Sequence, residues 1–149
     1  MHSNEDLPAL AVELIAAGSH FTRAAYQASG MELSNVSMRA LAALEREPGL
    51  RIGELAAREG IRQPSMSQAM KRLVDDGYAA RHTADDDARA TALTITDAGR
   101  EVLRSYRAAA AEAVAPVFEP LKPEDVATLK RAAELLPELT AELKQRKGG

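Results

Sequence analysis

Cysteine is absent from the sequence, and tryptophan with it. The first absence removes disulfide staples, thiolate zinc sites, iron–sulfur ligation and thiol nucleophiles from consideration. Aromatic residues make up only 3% of the chain, so partners for stacking a ring are few. No apolar run approaches the roughly 20 residues of a membrane span, and the opening MHSNEDLPAL is acidic, unlike a signal peptide. An excess of positive charge is missing too: Lys and Arg number 19 against 22 Asp and Glu, a net charge of −3. That balance excludes a generally polycationic nucleic-acid coat, and any nucleic-acid site must be a local basic face on an acidic body. The histidines, His2, His20 and His82, have no metal-ligand spacing, and neither a His-Glu-x-x-His pair nor a glycine-rich phosphate loop occurs. Asp85, Asp86 and Asp87 are adjacent, but consecutive residues on a hairpin do not converge on one ion. The expectation is a soluble, cytoplasmic protein that is not an enzyme, with no cofactor and no metal.

What is present suits a single domain with a real core: 149 residues, 46% of them hydrophobic and 28% charged. In residues 5–28, Leu7, Leu10, Leu14, Ala17, Phe21 and Ala25 follow helical spacing, and Val12 and Ile15 add a second apolar edge. Such a helix needs burial on more than one side. Asn4 or Asp6 is placed to cap it, and Gly30 to stop it. Ser34 is the expected N-cap of a helix over 34–46 that ends at Pro48-Gly49. A short helix from Ile52 to Glu59 is broken by Gly60, and a further helix runs from Pro64 in its first turn to Asp76, before Gly77. Two short helices joined by a tight glycine-containing turn form a helix-turn-helix.

After Gly77 the period changes. Tyr78 to Thr83 and Thr91 to Thr96 read as strands, with 84–90 a polar loop too long for a two-residue turn: a hairpin with an extended tip, or wing. Helix resumes at Asp97, with Thr96 as its cap and Val102, Leu103 and Tyr106 as its apolar face; Pro116 and Pro120 are expected to end or kink it. Pro123 opens a last helix whose seam is Val126, Leu129, Ala133, Leu136 and Leu143, with a bend or break expected at Pro137.

The helix from 64 to 76 carries the chemistry. At 100° per residue, Met66, Ala69, Met70 and Leu73 share one face, while Pro64, Gln68 and Lys71 lie opposite, flanked by Ser65, Ser67 and Arg72. Hydrogen-bonding and cationic groups of this kind suit base edges and phosphates. From Gly60 to Val74 no acid occurs, while Arg62, Lys71 and Arg72 are all present. An exposed helix face is polar in any soluble protein, so the face alone does not decide between DNA and water. The wing adds weight. Arg89 near the hairpin tip is suited to a minor groove, where narrow A·T tracts concentrate negative potential, and Asp87 is suited to pre-orient it through a charge-assisted pair.

Residues 33–99 resemble the winged helix-turn-helix of the MarR family, through LSNVSMRALAAL, IGELAAREGIRQPSMSQAMKRLVDDGYAAR and DDDARATALTITDAG. The family's wing pattern is matched by Asp87, Arg89, Ile95-Thr96 and Gly99. The resemblance implies a mainly α fold with a small β-wing, in which residues 33–99 are the DNA-binding lobe and helices within 5–32 and 100–146 form a homodimer. It implies that Gln63, Ser65, Ser67, Gln68, Lys71 and Arg72 meet the major groove or its phosphates, and that Arg89 enters the minor groove beside Asp87; at Arg62, where the chain departs from the family, a phosphate contact is the expected offset for a lost cap. The implied partner is double-stranded DNA carrying an inverted repeat, and the implied outcome is repression relieved by a ligand. Small effectors of the family, often aromatic acids or phenols, bind between the dimer helices and the DNA-binding lobe, where this chain has His20, Tyr26, Arg39 and Tyr106. The chain departs from the family in having Arg51 and Arg62 where Ser or Thr caps are usual, each lost cap costing roughly 1 kcal/mol. It also departs at Lys122, before the last helix, and at Ile95, where Leu is usual. Two other readings of the residues remain open: a winged-helix protein-interaction module without a DNA role, favoured by the acidic balance, and a small-molecule-binding protein with weak DNA affinity.

Overall fold

Ser34 opens the packed part of the chain: its Oγ accepts the Ser37 backbone N–H at 3.1 Å and caps the helix that follows. In the computed structural model, residues 6–84 and 87–148 are described, with 84 and 87–90 described by their backbone alone. The elements are α1 (Asp6–Ala28), α2 (Asn35–Arg46), α3 (Ile52–Glu59), α4 (Gln63–Asp75), β1 (Ala79–Ala84), β2 (Asp87–Ile95), α5 (Asp97–Phe118) and α6 (Pro123–Lys147). They fall into two compact units, one reaching Ala111 and the other starting at Glu112. No helix among the described residues is long and apolar enough to cross a membrane.

The core of the first unit lies where α2, α3 and α4 meet the hairpin and the first turns of α5. Leu41, Leu44, Leu55, Met66, Met70, Leu73 and Leu103 are its fully buried side chains. Met66, Ala69, Met70 and Leu73 are all buried, so α4 turns toward the core the face that its periodicity predicts. Leu50 adds a short bridge to the edge of β2: the Leu93 N–H donates to the Leu50 carbonyl and the Gly49 N–H to the Leu93 carbonyl, both at 2.9 Å. Thr96 caps α5 as expected, its Oγ1 accepting from Gly99 N–H at 3.0 Å while donating to the Gly77 carbonyl at 2.6 Å. One hydroxyl thereby ties the end of α4 to the start of α5.

Three expectations need correction. The second strand starts at Asp87, where the sequence suggests Thr91. Thr83 pairs with Thr91 and Ala84 with Asp87, so 88–90 stand as an irregularity inside a paired ladder. Pro116 does not end α5, which continues to Phe118 and stops short of Pro120. Pro137 does not break α6, which is assigned as helix from Pro123 to Lys147. A proline removes one intrahelical donor, and the ladder closes again on either side of it. Lys122, standing where the family usually has a Ser or Thr cap, makes no side-chain cap bond, and the expected cap Asn4 lies outside the described residues.

Candidate nucleic-acid interface

The sequence places a polar, acid-free surface on α4, and the structure shows how it is presented. Gly60 adopts a left-handed conformation (φ 61°) at the end of α3, and the Ile61 N–H returns to the Ala56 carbonyl at 3.0 Å. The turn is short, and α4 begins at Gln63. With Met66, Ala69, Met70 and Leu73 committed to the core, Arg62, Gln63, Ser65, Ser67, Gln68, Lys71 and Arg72 are all exposed. They occupy one contiguous helical surface together with Pro64.

A shallow groove flanks α4 on each side. One, of about 310 Å³, runs between α4 and the start of α2 and is lined by Ser34, Ser37, Ser65, Gln68 and Arg72. The other, of about 240 Å³, lies between α4, the start of α3 and the hairpin, and is lined by Arg51, Ser67, Arg81 and Thr91 among others. Arg51 and Arg81 join the candidate surface through tertiary packing, and the sequence reading did not include them as contacts. Arg51 carried a signal, an arginine where a Ser or Thr cap is expected. Its side chain makes no cap bond, and an arginine has no acceptor to offer. The Glu54 carboxylate partly compensates by accepting the Arg51 N–H at 3.1 Å. Arg81 carried no signal, because a strand's facing direction depends on its partner strand.

Arg23 on α1 apart, ion pairing separates the described cations of this unit into two sets. Arg39 and Arg46 pair with Glu59, Arg58 with Glu47, Arg107 with Glu45, Arg100 with Asp97 and Arg104 with Glu101. Arg51, Arg62, Lys71, Arg72 and Arg81 make no ion pair among the described residues. Carboxylates neutralise the cations on α2, the end of α3 and α5, and leave those around α4 available for an outside anion. The side chains of Asp87 and Arg89 lie outside what is described; their backbone belongs to β2. On the exposed side of the hairpin, His82 Nε2 lies 2.9 Å from Thr94 Oγ1.

The residues expected to line an effector site are only partly brought together. A cavity of about 520 Å³ between α1, α2 and α5 is lined by Tyr26 and Arg39, and also by Arg23 and Arg107. A smaller hollow of about 290 Å³ has Tyr26 and Tyr106 in its wall. The two tyrosine rings meet at 4.9 Å between centroids, tilted by 45°. Tyr106 is buried, its hydroxyl donates to the Leu33 carbonyl at 3.2 Å, and burial pushes its ionisation above the usual 10.0. His20 is exposed on α1 and lines neither space. No cluster of His, Asp or Glu among the described residues is arranged to hold a metal ion.

Comparisons with known proteins agree with this geometry. The MarR family profile matches residues 29–90. An HTH-type transcriptional regulator of Mycobacterium tuberculosis is 32% identical over 114 residues, which cover 76% of this chain and 78% of the relative. Among solved structures, a transcriptional regulator of the MarR family from Silicibacter pomeroyi superposes with a TM-score of 0.58 at 26% identity, covering 93% of this chain and 96% of that one. Wild-type MarR from E. coli, in its apo form, superposes with a TM-score of 0.70 at 16% identity, covering 85% of this chain and 96% of that one. The chain is a DNA-binding transcriptional regulator and belongs to the MarR family.

Proposed function

We propose that the protein is a homodimeric repressor that reads an inverted repeat and releases it when a small effector binds. The observation that carries the DNA half of this reading is the sorting of charge. Arg51, Arg62, Lys71, Arg72 and Arg81, which make no ion pair among the described residues, gather around α4, beside the neutral hydrogen-bonding groups of Gln63, Ser65, Ser67 and Gln68. In this reading Gln68 faces base edges, Lys71, Arg72 and Arg62 hold phosphates, and Arg51 and Arg81 hold the backbone where it passes between α4 and the wing. Asp87 and Arg89 act as the wing pair, with Arg89 in the minor groove.

The dimer is supported by apolar surface that a single chain leaves in water. None of the α1 residues is buried, although Leu10, Val12 and Ile15 are 56%, 68% and 69% exposed. The same holds for α6, where Leu139 and Leu143 are exposed. Leaving so many large apolar side chains solvated is unfavourable, and burying each in a partner returns about 1.5–3 kcal/mol. The effector half rests on the cavity between α1, α2 and α5. Selection of bound duplexes from a random pool, followed by footprinting, tests the whole reading. An inverted repeat with half-sites about one turn, ~34 Å, apart is expected. A single asymmetric site, or binding that does not fall as salt rises, would count against it.

A further inference from the structure

Arg51 and Arg81 are distant in the chain, and the backbone brings them to one groove. Leu93 is the link. It pairs with Arg81 across the hairpin and with Leu50 across the short bridge, where its N–H donates to the Leu50 carbonyl at 2.9 Å. Arg51 follows Leu50 directly. Residues opposite one another in an antiparallel ladder share a face. Arg81 therefore projects on the side of the buried Leu50 and Leu93, while its neighbour His82 projects on the other, where it meets Thr94. The result is the groove of about 240 Å³, lined by Arg51 at the start of α3, Arg81 and Thr91 of the hairpin, and Ser67 of α4.

The lining suits an anion. Two guanidiniums and two hydroxyls border the groove, and no acid is among its lining residues. Glu54, on the first turn of α3, gives a carboxylate oxygen to the Arg51 backbone N–H at 3.1 Å, and neither arginine makes an ion pair among the described residues. Cations that border one space repel each other until an anion comes between them, and each planar guanidinium offers a phosphate two parallel N–H donors. Ser67 stands on the exposed surface of α4 with Gln63, Ser65 and Gln68, so the anion that reaches the groove is a backbone phosphate of the duplex lying against that surface. Arg51 takes its place at a cost. It is the residue before α3, where Ser, Thr, Asp or Asn accepts a first-turn N–H, and α3 has no side-chain cap bond.

We infer that a single backbone phosphate in each half-site sits in this groove, held jointly by Arg51 and Arg81, and that the chain gives up the α3 cap to hold it. This rests on the reading of α4 as the DNA-facing surface. It ties the start of α3 and the wing to the same point of the duplex, so that helix and hairpin dock as one.

The test uses the full-length protein and its selected operator, with single backbone phosphates replaced in turn by uncharged methylphosphonates. Fluorescence anisotropy reads the affinity for each duplex. One position per half-site should cost wild type about tenfold, the lower end for hydrogen bonds to a charged group. At that same position the replacement should cost Arg51→Ala and Arg81→Ala about threefold or less, and the double variant nothing, because the contact is already lost. Replacements elsewhere should cost the variants what they cost wild type, which also checks that they fold. The double variant should lower the salt slope of log affinity by about 1, the share of one phosphate, rather than about 2. Arg51→Ser separates contact from fold. With its cap restored it should melt about 2–4 °C above wild type and still bind operator about tenfold more weakly. Two different sensitive positions for the two arginines, or no position whose cost either variant relieves, would overturn the shared phosphate. An Arg51→Ser protein that melts no higher than wild type would overturn the exchange of cap for contact. A wild-type protein that binds no duplex would instead bring down the reading of α4 on which this inference rests.

Discussion

Gly99 leaves no room for even one more carbon. A Cβ there would fall on the Tyr78 carbonyl oxygen and 2.8 Å from Ile95 Cγ1, at the point where the hairpin passes under the start of α5. Gly99→Ala must therefore push α5 off the hairpin, and overpacking of this kind costs about 1–3 kcal/mol. Urea unfolding should show the midpoint falling with little change in slope. The sequence marks this glycine only as part of a motif, since its neighbour in space is Tyr78, on the far side of the hairpin. Tyr106 was more legible: the spacing puts it on the apolar face of α5 with Val102 and Leu103, and there its ring packs on Tyr26 and its hydroxyl reaches the Leu33 carbonyl. Burial, and next the neighbouring Tyr26, raise its ionisation above 10.0, with Ser29 opposing. A raised value in the folded state means that this stabilisation is complete below the unfolded pKa and is lost as pH climbs through the folded one. Stability should fall more steeply above about pH 10 in wild type than in Tyr106→Phe. At neutral pH the variant should be weaker by about 1 kcal/mol for the lost hydrogen bond. Denaturant melts across this alkaline range check both statements.

Among the elements, α4 was the most legible, because a helix with one buried face repeats its apolar residues at a spacing that sequence alone displays. The start of β2 was not legible. Pairing of Asp87 with Ala84 depends on the opposite strand, and the charged run at 85–87 reads as loop whichever residues pair. Of the bend or break expected at Pro137, the break is absent for a different reason, since a helix survives the loss of one donor when its other bonds hold. The candidate site was legible where it lies on α4, signalled at Arg51 only by an unusual cap residue, and illegible at Arg81, which folding adds from β1. The division of roles along α4 leads to an expected contrast. Lys71→Ala should weaken binding to all duplexes and lower the salt slope of log affinity by about 1. Gln68→Ala should relax preference at one base position, at a cost of about 1–3 kcal/mol on the preferred site alone. Anisotropy titrations on the selected site and its single-base variants, at several salt concentrations, separate the two. Uniform loss across all variants for Gln68→Ala would remove it from base reading.

For the molecule as a whole, the difficulty is a net charge of −3 on a protein that must approach a polyanion. The sorting of ion pairs answers part of it, because acids pair with cations on α2, α3 and α5, while the stretch of α4 from Gln63 to Arg72 carries no acid. The proposed two-fold assembly would answer the rest, since two such surfaces joined in a dimer would bind adjacent half-sites with a large effective concentration. Ile15, 69% exposed on a helix with no buried residue, belongs to the surface that this assembly is proposed to cover. Replacing it by glutamate costs an isolated chain little, because the side chain is already in water, whereas in a dimer it would bury a charge without a partner. Ile15→Glu should therefore shift sedimentation from dimer to monomer at micromolar protein while leaving helix content and melting of the first unit nearly unchanged. Affinity for a single half-site should be preserved, and affinity for the full inverted repeat should fall toward it. A variant that stays dimeric would place the interface away from this face of α1.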